Sequence, residues 1–136
     1  MKLLIQLFRA LSEETRMRIV MLLMRGELCV CDLMAILGEP QSKISRHLAY
    51  LKHSGIVSSR RAGVWMHYSL KEPLEEAYRT QLDLIQKRFS SLPQFQVDAA
   101  KLLKMKKHGA CKAMISLKFT YLARNSAAGR KNATLS

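Results

Sequence analysis

The sequence predicts a mostly α-helical domain carrying one two-stranded hairpin. Three patterns in its 136 residues lead there. Apolar residues recur at helical spacing through most of residues 2–106. The period switches to two only after Gly55, over about fifteen residues. Glycine and proline at 26, 38, 40, 55, 63, 73 and 93 cut the chain into short segments.

Taken in order, Leu3, Leu4, Leu7, Phe8 and Leu11 share a stripe, so Lys2–Leu11 reads as a first helix. Ser12, followed by Glu13 and Glu14 at the positive end of a helix dipole, marks the start of a second. That helix runs from Glu13 through Met17, Ile19, Val20, Leu22 and Leu23 to a stop at Gly26, and its apolar character nearly all round predicts central burial. A short helix, about Cys31–Leu37, turns Leu33, Ile36 and Leu37 inward and ends at Gly38. Pro40 breaks the chain and suits the first turn of the next helix, Gln41–His53, whose inward face is Ile44, Leu48 and Leu51. Two short helices joined by a tight turn form a helix-turn-helix.

Residues 56–61 and 64–70 read as strands about an Ala62-Gly63 turn, and such a hairpin must pack on the helices to be stable. Leu74–Phe89 is helical again, with Ala77, Tyr78, Leu82, Ile85 and Phe89 near one stripe, and Gln94–Lys106 forms a further helix. Alternation over 115–121 fits a strand, and 125–136 is expected to be disordered. The order α-α-α-α-β-β-α is that of a winged helix-turn-helix, here with a C-terminal extension. The expected division places the winged domain in residues 1–90 and a helical, then basic, partly disordered extension in 91–136.

The formal net charge is +13 and the isoelectric point about 10.1. This balance points to a polyanionic partner, nucleic acid or an anionic surface. The charge is uneven: all ten Asp/Glu and 14 of the 23 Lys/Arg lie in residues 1–100, leaving nine Lys/Arg and no acid beyond. Much of the basicity therefore belongs to the extension. No apolar run reaches the ~20 residues of a membrane span, and the first residues lack a secretory pattern. With three cysteines, an odd number, the expected setting is the reducing cytoplasm, away from membranes.

Cys29 and Cys31 are candidate ligands for a soft ion, because two thiolates can chelate it. Residues two apart on an α-helix diverge by ~200°, so chelation requires the helix to begin after Cys29 or to unwind its first turn. An ion held there would act on the segment leading into Gln41–His53. The alternatives are buried structural cysteines or a redox pair. Cys111 is a further candidate ligand. Zinc prefers a tetrahedron of four nitrogen, sulfur or oxygen donors, and Leu74–Phe89 offers Asp83 but no histidine. The histidines at 47, 53, 67 and 108 show no ligand spacing with the cysteines, and His47 reads as a packed helix residue.

Gln41, Ser42, Ser45 and Arg46 form the polar face of the candidate recognition helix. Gln and Arg suit base edges, whereas serine and Lys43 suit phosphates. Arg60 and Arg61, beside the hairpin tip, are candidate wing contacts, while Trp65 and Tyr68 read as packing residues. No paired-carboxylate site, Gly-rich phosphate loop or neighbouring Cys/His pair is present, so no enzyme is expected.

Four blocks carry a resemblance: Phe8-Arg9-Ala10-Leu11-Ser12-Glu13-Glu14-Thr15-Arg16, Glu27-Leu28-Cys29-Val30-Cys31-Asp32-Leu33, Ser42-Lys43-Ile44-Ser45-Arg46-His47-Leu48, and the wing around Gly63 and Tyr68. From about Leu7 to Leu82 the chain closely resembles the arsenic-responsive repressors of the ArsR/SmtB family. The resemblance implies a homodimer formed through the first helix and the helix after the wing, bound to double-stranded operator DNA without a cofactor. It also implies release by trivalent arsenic or antimony, As(III) or Sb(III), acting as inducer. The chain departs from the arsenic-type pattern at Met34, where such members commonly carry a third cysteine and where a thioether is a poorer ligand. A thiol redox response, or a response to cadmium, lead or zinc, is the alternative signal.

Overall fold

The computed structural model describes residues 1–107. Six helices and three short strands follow in the order α1 (Lys2–Leu11), α2 (Glu14–Leu23), β1 (Leu28–Cys29), α3 (Val30–Leu37), α4 (Gln41–His53), β2 (Val57–Ala62), β3 (Trp65–Leu70), α5 (Glu76–Phe89) and α6 (Pro93–Lys107). The antiparallel sheet has the order β1-β3-β2. It packs with the helices around a core that includes Leu7, Ile19, Leu33, Ile44, Leu48, Ile56, Tyr78 and Leu82.

The architecture is the expected winged helix-turn-helix, with local corrections. β1 was not foreseen: it adds a third strand to the expected hairpin, pairing Leu28 with Tyr68 and Cys29 with His67. The turn falls one residue later than expected, at Gly63-Val64, because Ala62 pairs with Trp65 and Gly63 takes the positive φ of 63°. Ser12 does not cap α2. Its hydroxyl donates to the Arg9 carbonyl at 2.8 Å, which closes α1. Glu13 caps α2 instead, accepting from the Arg16 backbone N–H at 3.0 Å. On α5, Tyr78 and Leu82 are buried, whereas Ala77 and Phe89 of the expected stripe are exposed.

α3 ends on Gly38 in the left-handed region, φ 66°, whose N–H reaches the Met34 carbonyl at 2.9 Å. Such a conformation suits a residue without Cβ, and it turns the chain sharply toward Pro40 and α4. The division expected near residue 90 falls between α5 and α6. α6 lies against α2 and α3 and contributes Leu102 to the common core. There Arg18 makes a paired contact with the buried Asp98 carboxylate, 2.8 and 2.9 Å from Nε and Nη2. This hydrogen-bonded carboxylate raises the pKa of Arg18. Lys101 Nζ donates to the Ile36 carbonyl in the last turn of α3, at 3.3 Å. The strand expected at 115–121, the disorder expected at 125–136, and Cys111 lie outside the described residues. No helix among the described residues is long and apolar enough to cross a membrane.

Candidate DNA-binding surface and thiol site

α4 presents the expected polar face. Gln41, Ser42 and Arg46 are exposed, and Lys43 and Ser45 are half-buried. Lys43 is engaged with Glu39 through a 2.7 Å contact. The opposite face is fixed by Ile44, Leu48 and Leu51, all fully buried, and by His47. A polar cluster that sequence reading missed locks α4 against the α1–α2 junction. Arg16 Nε donates to the Ala10 carbonyl at 2.7 Å, and its guanidinium lies 4.2 Å from the centre of the Tyr50 ring. Its Nη1 is 3.5 Å from His47 Nδ1, which is also 3.7 Å from a Glu13 oxygen.

Burial pushes the Glu13 carboxyl up, but the backbone amides of Arg16 and Thr15 and the nearby His47 and Arg16 outweigh it, leaving the pKa below the ordinary value. Burial also lowers His47, with Glu13 opposing. Burial disfavours the charged form of each group, whereas hydrogen bonds and opposite charges favour it, and the balance differs between the two.

The thiol site is built where β1 becomes α3. Cys29 is extended, φ −82° and ψ 161°, and is the N-cap of α3, so the helix begins after it as the chelation argument required. Its Sγ accepts from the Asp32 N–H at 3.3 Å, while Asp32 Oδ2 accepts from the Cys29 N–H at 3.0 Å. This is a capping box with cysteine in the position usually held by serine or threonine. Both cysteines are buried, and a disulfide joins them across a Cα–Cα distance of 5.3 Å. The donor atoms of Cys29, Cys31 and Asp32 lie within 4.8 Å of one another. Asp32 Oδ1 is buried with no hydrogen-bond partner among the described residues. Asp32 was not singled out from sequence. The Cys-x-x-Asp spacing of a capping box was the available signal.

Across the sheet, Cys29 pairs with His67, and His67 with Arg60. Arg60 is clasped by Glu27, with Nε at 3.0 and 2.8 Å from the two carboxylate oxygens and a further contact from Nη2. His67 Nδ1 lies 3.5 Å from the same carboxylate. Hydrogen bonding by Arg60 lowers the Glu27 pKa, and Glu27 in turn raises that of Arg60. Met34 packs against the core from a half-buried position.

A helix with an exposed Gln/Ser/Arg face, a tight turn before it and a strand-built wing beside it define a winged helix-turn-helix DNA-binding regulator. Comparison with known proteins narrows that class. Residues 13–59 match the family described as "Bacterial regulatory protein, arsR family". The chain is 46% identical over 91 residues to the arsenical resistance operon repressor of Escherichia coli, an alignment covering 60% of this chain and 78% of that one. Among solved structures, HlyU from Vibrio cholerae superposes with a TM-score of 0.58 at 28% identity, over 64% of this chain and 91% of that one. A homodimeric winged helix-turn-helix DNA-binding domain from Mycobacterium bovis gives 0.55 at 27% identity, over 63% and 77%. The chain belongs to the arsR family of bacterial transcriptional regulators, repressors that bind operator DNA and are not enzymes.

Proposed function

We propose that this repressor senses trivalent arsenic or antimony through Cys29 and Cys31 and leaves its operator when they are occupied. The observation that carries this reading is the convergence of two sulfurs and one carboxylate within 4.8 Å at the start of α3, the helix that turns directly into α4. The name of the Escherichia coli relative agrees with it. The donor set fits a soft, thiophilic ion: two thiolates supply the affinity, and Asp32 Oδ1 supplies an unspent acceptor beside them. The disulfide must first open by thiol exchange, two small cytoplasmic thiols giving two Cys–SH and leaving as their own disulfide. Arsenous acid then exchanges one hydroxyl for each sulfur, releasing one water per bond. A third position is left for hydroxide, a small thiol or Cys111.

On DNA, Gln41, Ser42, Ser45 and Arg46 read the major groove, Lys43 meets phosphate, and Arg60 and Arg61 supply wing contacts. The protein acts as a homodimer through residues 1–90 and works in the cytoplasm. Leu3, Ile5 and Phe8 on α1, and Leu84 and Phe89 on α5, expose apolar surface on two helices that touch each other, which a second copy would cover. Two recognition helices then address half-sites about one helical turn, ~34 Å, apart. Linkage makes the coupling reciprocal, on the order of 1–3 kcal/mol: DNA weakens the metalloid site as much as metalloid weakens DNA binding.

The test is an operator-binding titration with arsenite, zinc and peroxide in parallel, on wild type, Cys29→Ser and Cys31→Ser. Serine preserves the N-cap acceptor at position 29. Arsenite should release the wild type and leave both variants bound. Variants that still leave the operator on adding arsenite defeat the proposal.

A second reading has its own support, the Cys29–Cys31 disulfide. If oxidation is the signal, peroxide releases DNA, a dithiol restores it, and arsenite has no effect.

A further inference from the structure

Among the proposed DNA contacts, Arg60 differs from its neighbour. Its guanidinium is held at both carboxylate oxygens by Glu27, whereas among the described residues Arg61 makes no such pair. The clasp has a specific origin in the sheet. Glu27 stands two residues before Cys29, immediately ahead of β1. Cys29, His67 and Arg60 form one row across β1, β3 and β2. The Glu27 carboxylate reaches along this row past His67 to Arg60.

A guanidinium fork fits a carboxylate and a phosphate equally well, and it cannot serve both at once. The Glu27 pair is also open to water, with the Arg60 side chain 61% exposed and that of Glu27 32% exposed. Exposed pairs of this kind are weak and exchangeable.

We infer that Glu27 is a built-in competitor for DNA at the wing: Arg60 is held by the Glu27 carboxylate in the free protein and passes to a phosphate oxygen on the operator. The inference rests on the reading that Arg60 meets DNA. Glu27 is a positioning residue here, acting on DNA only through Arg60. Its place beside Cys29 on the shared row puts this exchange next to the thiol site.

The experiment is a salt series of operator binding by the full chain, comparing wild type, Glu27→Gln, Arg60→Ala and the double variant. Glu27→Gln should tighten binding by up to about fivefold, the range for releasing an exposed pair. Because Arg60 meets the phosphate in both complexes, the dependence of log K on log salt should stay near that of wild type in Glu27→Gln and become shallower by about 0.9 in Arg60→Ala. Arg60→Ala should weaken binding, and the double variant should match it. Glu27→Asp, which keeps the charge but withdraws it by one methylene, should move in the same direction as Glu27→Gln, and thermal melts confirm that each variant is folded. If Glu27→Gln weakens binding or leaves it unchanged while Arg60→Ala weakens it, the competition is wrong although the wing contact stands. If Arg60→Ala alters neither affinity nor slope, the wing contact itself is wrong and the inference falls with it.

Discussion

The recognition helix and the start of the helix before it are held in different ways. α4 is anchored by Ile44, Leu48 and Leu51, each fully buried. Burying a side chain of this size contributes roughly 1.5–3 kcal/mol. The start of α3 also buries Leu28, Val30 and Leu33 in the core, but it adds contacts of another kind: the Cys29–Cys31 disulfide, the Cys29 sulfur on the Asp32 amide, the Asp32 carboxylate on the Cys29 amide, and a two-residue strand. A neutral hydrogen bond contributes about 0.5–1.5 kcal/mol and one to a carboxylate about 1.5–3 kcal/mol. These added contacts are made by groups that oxidation or metal ligation changes directly, and the N-cap sulfur cannot chelate an ion and keep its amide contact unaltered. The difference locates where a chemical signal can enter. On the proposed function, a ligand at Cys29 and Cys31 would act on the start of α3 while the apolar anchors of α4 stay in place.

The hardest test of that contrast is Leu48→Ala. It empties a fully buried site on α4 and should cost about 2–5 kcal/mol, read by urea denaturation. Operator affinity should fall with the folded fraction. Asp32→Ala comes next. It removes one half of the capping box and should cost only about 1 kcal/mol, or less, because it also removes the unpartnered Oδ1. If Asp32→Ala proves as costly as Leu48→Ala, the start of α3 is not the softer region and the contrast fails.

The same two regions differ in how far the sequence discloses them. The bounds of α4, Gln41–His53, coincide with those expected, because every signal was local: Pro40 before it, Ser54-Gly55 after it, and apolar spacing of 3.6 between. β1 was invisible, since two residues carry no period and the strand exists only through β3 much later in the chain. The Arg18–Asp98 pair joins residues 80 apart, and the Glu27–Arg60 pair residues 33 apart. Neither announces itself in a local window. The requirement that α3 begin after Cys29 was legible because it follows from helix geometry alone, and α3 begins at Val30. Capping was misassigned at Ser12 for a local reason of another kind: serine serves either neighbouring helix, and here it closes α1.

The smallest expected effect is a pH dependence at His47, a titratable group buried on the inner face of α4. Burial lowers the pKa of His47 relative to the unfolded chain, with Glu13 opposing and Arg16, Arg46 and Lys43 adding to the decrease. The native state therefore favours the neutral ring. As pH falls through the ordinary histidine value of about 6.5, the unfolded state takes up a proton that the native state does not, and stability declines. The decline continues until the lower native pKa is passed. The stability tied to His47 is thus present above about pH 6.5 and lost below it. Glu13 behaves separately: its lowered pKa keeps it ionised across this window, and its stabilisation is lost only at lower pH, as its own native pKa is crossed. Thermal melts between about pH 5 and 7.5 should show a falling midpoint on acidification in the wild type and a flatter profile in His47→Gln. An identical decline in both would place the acid sensitivity elsewhere and leave α4 anchored by its apolar face alone, a sharper separation between the two regions than the Arg16–His47–Glu13 cluster implies.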